Sequence, residues 1–376
     1  MTENPDNQRL LRRAHLLLEE GQSNEALSIL EKIQPDNEEQ QNELRYLQGW
    51  YYLLQRRWND AIEILSPLSN SEGKVDEENY SSHALRAFSL LRLGDAATNL
   101  RHDEDAARHY GQCLRILQGQ RVNPRSIRIK ALYGLASTCT MRGLHSPALQ
   151  YYREALALCR DEVDDEDRAN IYYGLCYTYR MVGKLFEALD VGREALQLYE
   201  RMANRPLEGR MRNVLGRIYY LLGDYKTASD HYTVALAIAI SYQGHAMVML
   251  NYTALADLCL AEDRLEDAKR YCKLAQEIAE HLDNDHLCGL VYFAVGKVVE
   301  AEAQLADREQ RQELLEEAVE RFEKAKELLS RTQAYSDIAE VNWRLAGLLE
   351  KLGRDREALE CWKSAYQVAN HAKGSG

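Results

Sequence analysis

The chain has 376 residues, a formal net charge of −12, and only 6 prolines and 21 glycines. Few helix breakers, together with abundant Ala, Leu, Glu and Arg, predict a nearly all-helical protein. The negative charge opposes general attraction to nucleic acids and anionic membranes, because both need a positive contacting surface. No apolar run approaches the ~18 residues of a membrane span, and residues 1–13 are polar, so a cytoplasmic protein is predicted.

A repeated pattern runs along the chain from its first predicted helices to its last. Each copy has an apolar helix, a short turn that often holds Gly, and a second helix that opens with an alanine. These alanines are Ala26, Ala61, Ala106, Ala148, Ala188, Ala228, Ala268, Ala318 and Ala358. Their spacing is 40 residues throughout the stretch from Ala148 to Ala268. The pattern predicts nine helical hairpins that cover the chain.

The first part of the chain is predicted to contain two hairpins and a linker. Residues 1–68 hold the first two hairpins, and residues 69–79, SNSEGKVDEEN, form a polar linker. Residues 80–373 hold the remaining seven hairpins and continue the array of the first two.

The eighth hairpin is predicted to be longer than the others. Ala268 and Ala318 are 50 residues apart, and the added segment is rich in Glu, Gln, Arg and Leu without Gly or Pro. We therefore expect extended helices over about residues 286–330. The last residues, 374–376, resemble a vector-derived remnant.

The packing positions of these hairpins resemble those of the tetratricopeptide repeat (TPR). In the sixth hairpin they are Leu215, Gly216, Tyr219, Gly223, Ala228, Tyr232 and Ala235. The family's usual period is about 34 residues, so the 40-residue period is similar to that of long-repeat arrays in bacterial TPR regulators, peptide sensors and kinesin light chains. The resemblance implies an all-α, right-handed superhelical solenoid of about nine hairpins. It also implies that the first helices line a concave groove that binds an extended peptide or a protein segment.

The groove positions can be identified from their spacing relative to the packing positions. The candidate binding residues are Lys130, Tyr133, Asn170, Tyr173, Tyr177, Arg180, Arg210, Asn213, Arg217 and Tyr220. Among the groove positions of the fourth to seventh hairpins, Asp257 is the one acidic residue. Arginine forks bind carboxylates, and tyrosine offers a rigid surface with a polar tip. A peptide or protein with acidic groups or a free C-terminus is the expected partner; the alternative is that these are ordinary solvated residues.

Two functions of different kinds fit this organisation. The first is a peptide-binding scaffold or adaptor, and the alternative is a ligand-responsive sensor of a bacterial signalling or transcription-regulatory system. The sequence contains no G-x-x-x-x-G-K-[ST], G-x-G-x-x-G, G-x-S-x-G or H-E-x-x-H motif, so neither catalysis nor a cofactor is predicted. RNA binding is disfavoured by the overall charge.

Metal ligands and large aromatic residues are interpreted mainly as structural. The eight cysteines are scattered without a C-x-x-C pair, which indicates small core residues and no metal site. The pair His281 and His286 and the acidic run 161–167 lie at junctions between hairpins. Trp58 and Trp362 are expected to pack, whereas Tyr46, Trp50, Leu53 and Trp343 fit either the groove or contacts between hairpins.

Overall fold

The computed structural model describes residues 5–69, 80–118, 125–160, 165–332 and 334–374. Within these ranges there are eighteen helices and no strands. They pair in chain order, so that the first hairpin contains α1 and α2 and the ninth contains α17 and α18. The predicted all-α fold of nine hairpins is confirmed. Most of the predicted polar linker, 70–79, and residues 375–376 lie outside the described residues.

The chain divides into two compact units, Met1–Asp167 and Arg168–Gly376. The N-terminal unit contains the first four hairpins. Its helices are α1 (Pro5–Glu19), α2 (Ser23–Leu30), α3 (Glu38–Leu54), α4 (Trp58–Ser69), α5 (Tyr80–Asn99), α6 (Asp103–Gln118), α7 (Arg125–Met141) and α8 (His145–Leu158).

The C-terminal unit contains the last five hairpins, and α9 begins just before its boundary. The helices are α9 (Asp165–Met181), α10 (Leu185–Arg201), α11 (Arg205–Leu221), α12 (Tyr225–Ser241), α13 (His245–Ala261), α14 (Leu265–Ala279), α15 (Asp285–Leu305), α16 (Arg308–Ser330), α17 (Tyr335–Lys351) and α18 (Asp355–Gly374). At 21 and 23 residues, α15 and α16 are the longest helices in the described ranges.

The nine repeat alanines all lie in the core, each with at most 1% of its surface exposed. In eight hairpins the residue five positions before the alanine has a left-handed backbone, with φ between 57° and 80°. These residues are Gly21, Arg56, Arg101, Gly143, Gly183, Gly223, Asp263 and Gly353. The left-handed residue ends the first helix and reverses the chain. In the eighth hairpin the equivalent position lies inside α16, because that helix begins earlier.

Close approach of the two helices in a hairpin depends on a small residue facing a large one. A Cβ added to Gly216 would lie 2.7 Å from the Tyr232 ring, and one added to Gly94 would lie 2.5 Å from the Tyr110 ring. Because packed cores tolerate little added volume, these positions require glycine. A small residue at these positions therefore lets the two helices of a hairpin approach closely.

The structural interpretation of the cysteines and of most aromatic residues is also confirmed. Six cysteines are buried and two are half-buried, and burial raises the pKa of Cys113 to about 12. The Tyr46, Trp50 and Leu53 side chains are buried in the N-terminal core. Trp343 is exposed, and its ring meets that of half-buried Trp362 edge-on at a centroid distance of 5.7 Å. No described helix is long and apolar enough to cross a bilayer.

Candidate functional site

Eight of the ten predicted binding residues lie on α9 and α11, which are first helices of the C-terminal unit. We call the corresponding side chains of α9, α11, α13, α15 and α17 the first-helix face. Lys130 and Tyr133 lie on α7 in the N-terminal unit and are described separately.

Arginine and tyrosine side chains alternate at the start of this face. The Arg180 guanidinium lies 4.8 Å from the centre of the Tyr177 ring, and the Arg210 guanidinium lies 5.4 Å from the Tyr173 ring. Both distances are typical of cation–π contacts. The second contact joins α11 to α9, so the predicted basic and aromatic residues are neighbours across two hairpins.

The two predicted asparagines form hydrogen bonds within the protein. Asn213 donates through Nδ2 to Oδ1 of the fully buried Asn251 at 3.0 Å. The Asn170 Oδ1 atom accepts a 2.9 Å hydrogen bond from the Tyr199 hydroxyl. Each amide thus uses one of its two groups internally.

A row of charged residues crosses three successive hairpins at a spacing of 40 residues. Arg217 on α11 donates from Nη1 to Asp257 Oδ2 at 3.0 Å, and Lys297 on α15 donates to Asp257 Oδ1. The Asp257 and Lys297 side chains are only 13% and 10% exposed. Burial raises the pKa of Asp257, but the two cations more than offset it and hold that pKa below its usual value. One carboxylate therefore accepts hydrogen bonds from two cations.

A second set of ion pairs lies beside this row. The Glu300 carboxylate on α15 contacts Lys351 Nζ at 2.7 Å and Arg344 Nη1 at 3.6 Å. The two sets border an open pocket of about 470 Å³, whose walls include Arg217, Tyr220, Asp257, Lys297, Glu300 and Arg344.

Three of these pocket residues, Lys297, Glu300 and Arg344, were absent from the sequence-based set. The signal that identifies Lys297 is the 40-residue step from Arg217 through Asp257. The insertion in the eighth hairpin lies beyond Glu300, so the first-helix register continues unchanged to that point. The prediction stopped at the seventh hairpin and missed it.

A buried hydroxyl lies next to the pocket. Tyr232 on α12 is 1% exposed, and its hydroxyl has no hydrogen-bond partner among the described residues. Burial raises its pKa, and the charged or titratable groups that act on it are Arg217, Asp257, Tyr220 and Arg180. Three of these four also line the pocket.

The N-terminal unit has a related cluster with different chemistry. The Tyr110 hydroxyl donates to Asp95 Oδ1 at 2.9 Å, and Arg92 Nη1 lies 3.4 Å from Asp95 Oδ2. Burial raises the pKa of Asp95 despite the nearby charges of Arg92 and the exposed Lys130. The ring of Tyr133 lies 6.0 Å from that of Tyr152. Of the two predicted residues of α7, Lys130 thus acts on a carboxylate that already has partners, and Tyr133 packs against Tyr152.

Among the described residues, no group of three or more His, Cys, Asp or Glu side chains could hold a metal ion. His286 instead lies 2.9 Å from Asp337 through Nε2 and Oδ2, which joins α15 to α17. Of the acidic run 161–167, residues 161–164 lie outside the described residues.

Comparison with known families identifies the repeat. A family model described as the MalT-like TPR region matches residues 83–288. The chain belongs to this family. The match confirms the resemblance based on the packing positions of the sixth hairpin and its neighbours. No curated protein sequence matches the chain significantly.

Several solved structures share this MalT-like TPR fold over nearly the whole chain. A Rap protein complexed with Competence and Sporulation Factor is 14% identical, with a TM-score of 0.72 and 99% of each chain covered. The apo quorum sensor NprR from B. thuringiensis is 17% identical, with a TM-score of 0.69, 97% of this chain and 99% of that chain covered. The Rap conjugation gene regulator of plasmid pLS20, in complex with the Phr* peptide, is 13% identical with a TM-score of 0.62, covering 98% and 96%. At these identities the likeness shows the fold.

Proposed function

We propose that this protein is a non-catalytic regulator that binds a peptide along the first-helix face of its C-terminal unit. The observation that carries the proposal is the row of tyrosine, arginine and asparagine side chains on α9 and α11, which continues into the 470 Å³ pocket. Rigid aromatic rings supply contact area, and guanidinium and amide groups supply the hydrogen bonds that an extended peptide needs.

The structural relatives support a peptide as the ligand class. One Rap relative is described in complex with the Phr* peptide, and NprR is described as a quorum sensor. Each has this chain's fold over almost its full length. The same relatives favour the sensor form of the proposal, in which peptide binding changes the arrangement of hairpins and a partner protein reads that change.

Affinity selection with a random heptapeptide library tests the binding proposal. The immobilised full chain is incubated with the library, bound peptides are identified by mass spectrometry, and their affinities are measured by calorimetry. We expect the enriched peptides to bind the original protein and to lose at least about tenfold in affinity with Arg180→Glu, because that change reverses a charge on the face. Arg180 stacks on Tyr177 and has no ion pair among the described contacts, so the fold should tolerate the change.

The matched control is Lys226→Glu, which reverses an exposed charge on the second helix α12, away from the first-helix face. It should leave the affinity unchanged. Equal losses with both variants would attribute the effect to overall charge and contradict the assignment of the face.

The sensor form has its own measurement. Small-angle scattering of the full chain with and without a selected peptide should show a change in the radius of gyration, because a ligand shifts a conformational equilibrium only if it prefers one state. An unchanged scattering curve at saturating peptide would leave a binding scaffold and eliminate the sensor.

A further inference from the structure

Hairpins three and six have the same packing but differ in the residue that follows the packing glycine. In each, a glycine packs against a tyrosine ring: Gly94 against Tyr110, and Gly216 against Tyr232. The residue after the glycine is Asp95 in the third hairpin and Arg217 in the sixth.

The two residues have opposite hydrogen-bonding capacity. The Asp95 carboxylate accepts the hydrogen bond of the Tyr110 hydroxyl. A guanidinium has donors only, so Arg217 cannot accept one from Tyr232. The carboxylate that acts on this hydroxyl, that of Asp257, accepts from Arg217 and Lys297, one through each oxygen, and makes no hydrogen bond to Tyr232. The Tyr232 hydroxyl is thus buried without an acceptor among the described residues.

We propose that Arg217 and Tyr232 form an anchor site for a ligand carboxylate. This inference rests on the proposed peptide-binding function and specifies the chemistry of its anchoring group. The carboxylate comes either from the C-terminus of the peptide or from an Asp or Glu side chain. It supplies an acceptor for the Tyr232 hydroxyl and a further acceptor for the donors of Arg217.

Entry of the carboxylate requires a small rearrangement at the pocket wall. The Tyr232 oxygen is buried, and Arg217 and Tyr220, which line the pocket, also act electrostatically on its hydroxyl. Rotation of the Arg217 side chain about its flexible stem opens the route without moving a helix. Its guanidinium can keep one hydrogen bond to Asp257 and turn other donors towards the ligand, because it carries five.

One carboxylate of the wall opposes the anchor. Glu340 on α17 lines the pocket and acts electrostatically on Arg217. The charges of the pocket walls balance, since Asp257, Glu300 and Glu340 face Arg217, Lys297 and Arg344. Selection of a carboxylate therefore depends on the position of the donors, and Glu340 limits its affinity.

Four heptapeptide pools test the anchor on the full chain. Two pools contain Asp and Glu and two exclude them, and each kind is made with a free or an amidated C-terminus. Binding is measured by competition against a fluorescent peptide selected as described above. The pool without any carboxylate should bind about tenfold more weakly than the best pool, the effect of losing one charged hydrogen bond. The other three pools show whether the terminus or a side chain is used.

Tyr232→Phe is the decisive variant, because it removes the hydroxyl and keeps the ring. It should weaken the carboxylate pools about tenfold and leave the carboxylate-free pool unchanged. Tyr110→Phe, the equivalent change in the third hairpin, should change no pool. Glu340→Gln should strengthen the carboxylate pools severalfold, because it removes the opposing charge.

The outcomes distinguish failure of the carboxylate anchor from failure of the proposed peptide binding. If the four pools bind equally and Tyr232→Phe behaves like the original protein, peptide binding stands and the carboxylate anchor is overturned. If no pool binds at all, both proposals are overturned.

Discussion

The third and sixth hairpins use one packing scheme with opposite charges beside it. In both, a tyrosine of the second helix fills the space over a glycine of the first. Asp95 then accepts from the Tyr110 hydroxyl, whereas the Tyr232 hydroxyl, in the hairpin that has Arg217 at this position, has no hydrogen bond among the described residues. The comparison separates two kinds of position in the repeat. Contact between the helices fixes the packing positions. The residue after the packing glycine determines whether the tyrosine hydroxyl is bonded within the protein or needs an acceptor from a ligand.

The carboxylates near these tyrosines differ in their ion-pair partners and in the direction of their pKa shifts. Asp95 has one ion-pair partner, Arg92, and burial raises its pKa. The Asp257 side chain is less exposed than that of Asp95, but two cations donate to it and its pKa is lowered. Asp257 is therefore a structural charge of the C-terminal unit, while Asp95 contributes less to the N-terminal unit.

The largest expected difference comes from removing these two charges. Asp257→Asn should cost about 3 kcal/mol of unfolding free energy, because it leaves Arg217 and the buried Lys297 without their shared counter-charge. Asp95→Asn should cost about 1 kcal/mol or less, since Asn still accepts from Tyr110 and only a partly exposed ion pair is lost. Urea denaturation of both variants measures the difference; similar losses would contradict it.

The pH dependence of the same variants gives an independent check with opposite signs. The lowered pKa of Asp257 stabilises the fold above the unfolded-state pKa of about 3.9, and this is lost as pH falls through the folded pKa. The difference in unfolding free energy between the original protein and Asp257→Asn should therefore shrink as the pH falls. The raised pKa of Asp95 stabilises the fold at low pH, and this is lost as pH rises through the folded pKa. The unfolding free energy of the original protein, relative to that of Asp95→Asn, should therefore increase as the pH falls.

The packing of glycine against tyrosine that both hairpins share is tested by adding a methyl group at each glycine. Gly216→Ala and Gly94→Ala should each cost about 2 kcal/mol, because the new Cβ would overlap a buried tyrosine ring. Hydrogen exchange of α11 and α5 measures the local loss. Gly347→Ala is the control, since nothing lies within 4 Å of its added Cβ and a mid-helix glycine is less favourable than alanine. It should stabilise α17, and a loss there would show that the clash is not the cause.

The packing positions were predictable from the sequence because they repeat. An alanine lies in the second helix of every hairpin, at 40-residue steps from Ala148 to Ala268, and the structure places all nine alanines in the core. The site was less predictable. Arg217 and Asp257 are 40 residues apart, and only the stacking of hairpins brings them into contact. Asn170 and Asn213 were predicted as binding residues, but the sequence did not reveal their internal partners, because Tyr199 and Asn251 lie on other helices.

The smallest expected effect on stability comes from removing the hydroxyl of Tyr110 or of Tyr232. Tyr110→Phe should cost about 1.5 kcal/mol, because it removes a hydrogen bond to a charged acceptor. Tyr232→Phe should cost about 0 kcal/mol in the ligand-free protein, since its hydroxyl has no acceptor and leaves no partner unpaired.

Thermal unfolding of the two variants beside the original protein makes the comparison, and both substitutions preserve ring size, so packing losses cancel. Suppose instead that Tyr232→Phe lost as much stability as Tyr110→Phe. The Tyr232 hydroxyl would then be satisfied inside the ligand-free fold, for instance by a bridging water, and a ligand carboxylate would have to displace that partner. Affinity would gain little from the exchange, and the reason for assigning the carboxylate anchor to hairpin six would disappear. A loss confined to Tyr110→Phe would instead mean that an acceptor completes hairpin three internally and that hairpin six receives its acceptor from the ligand.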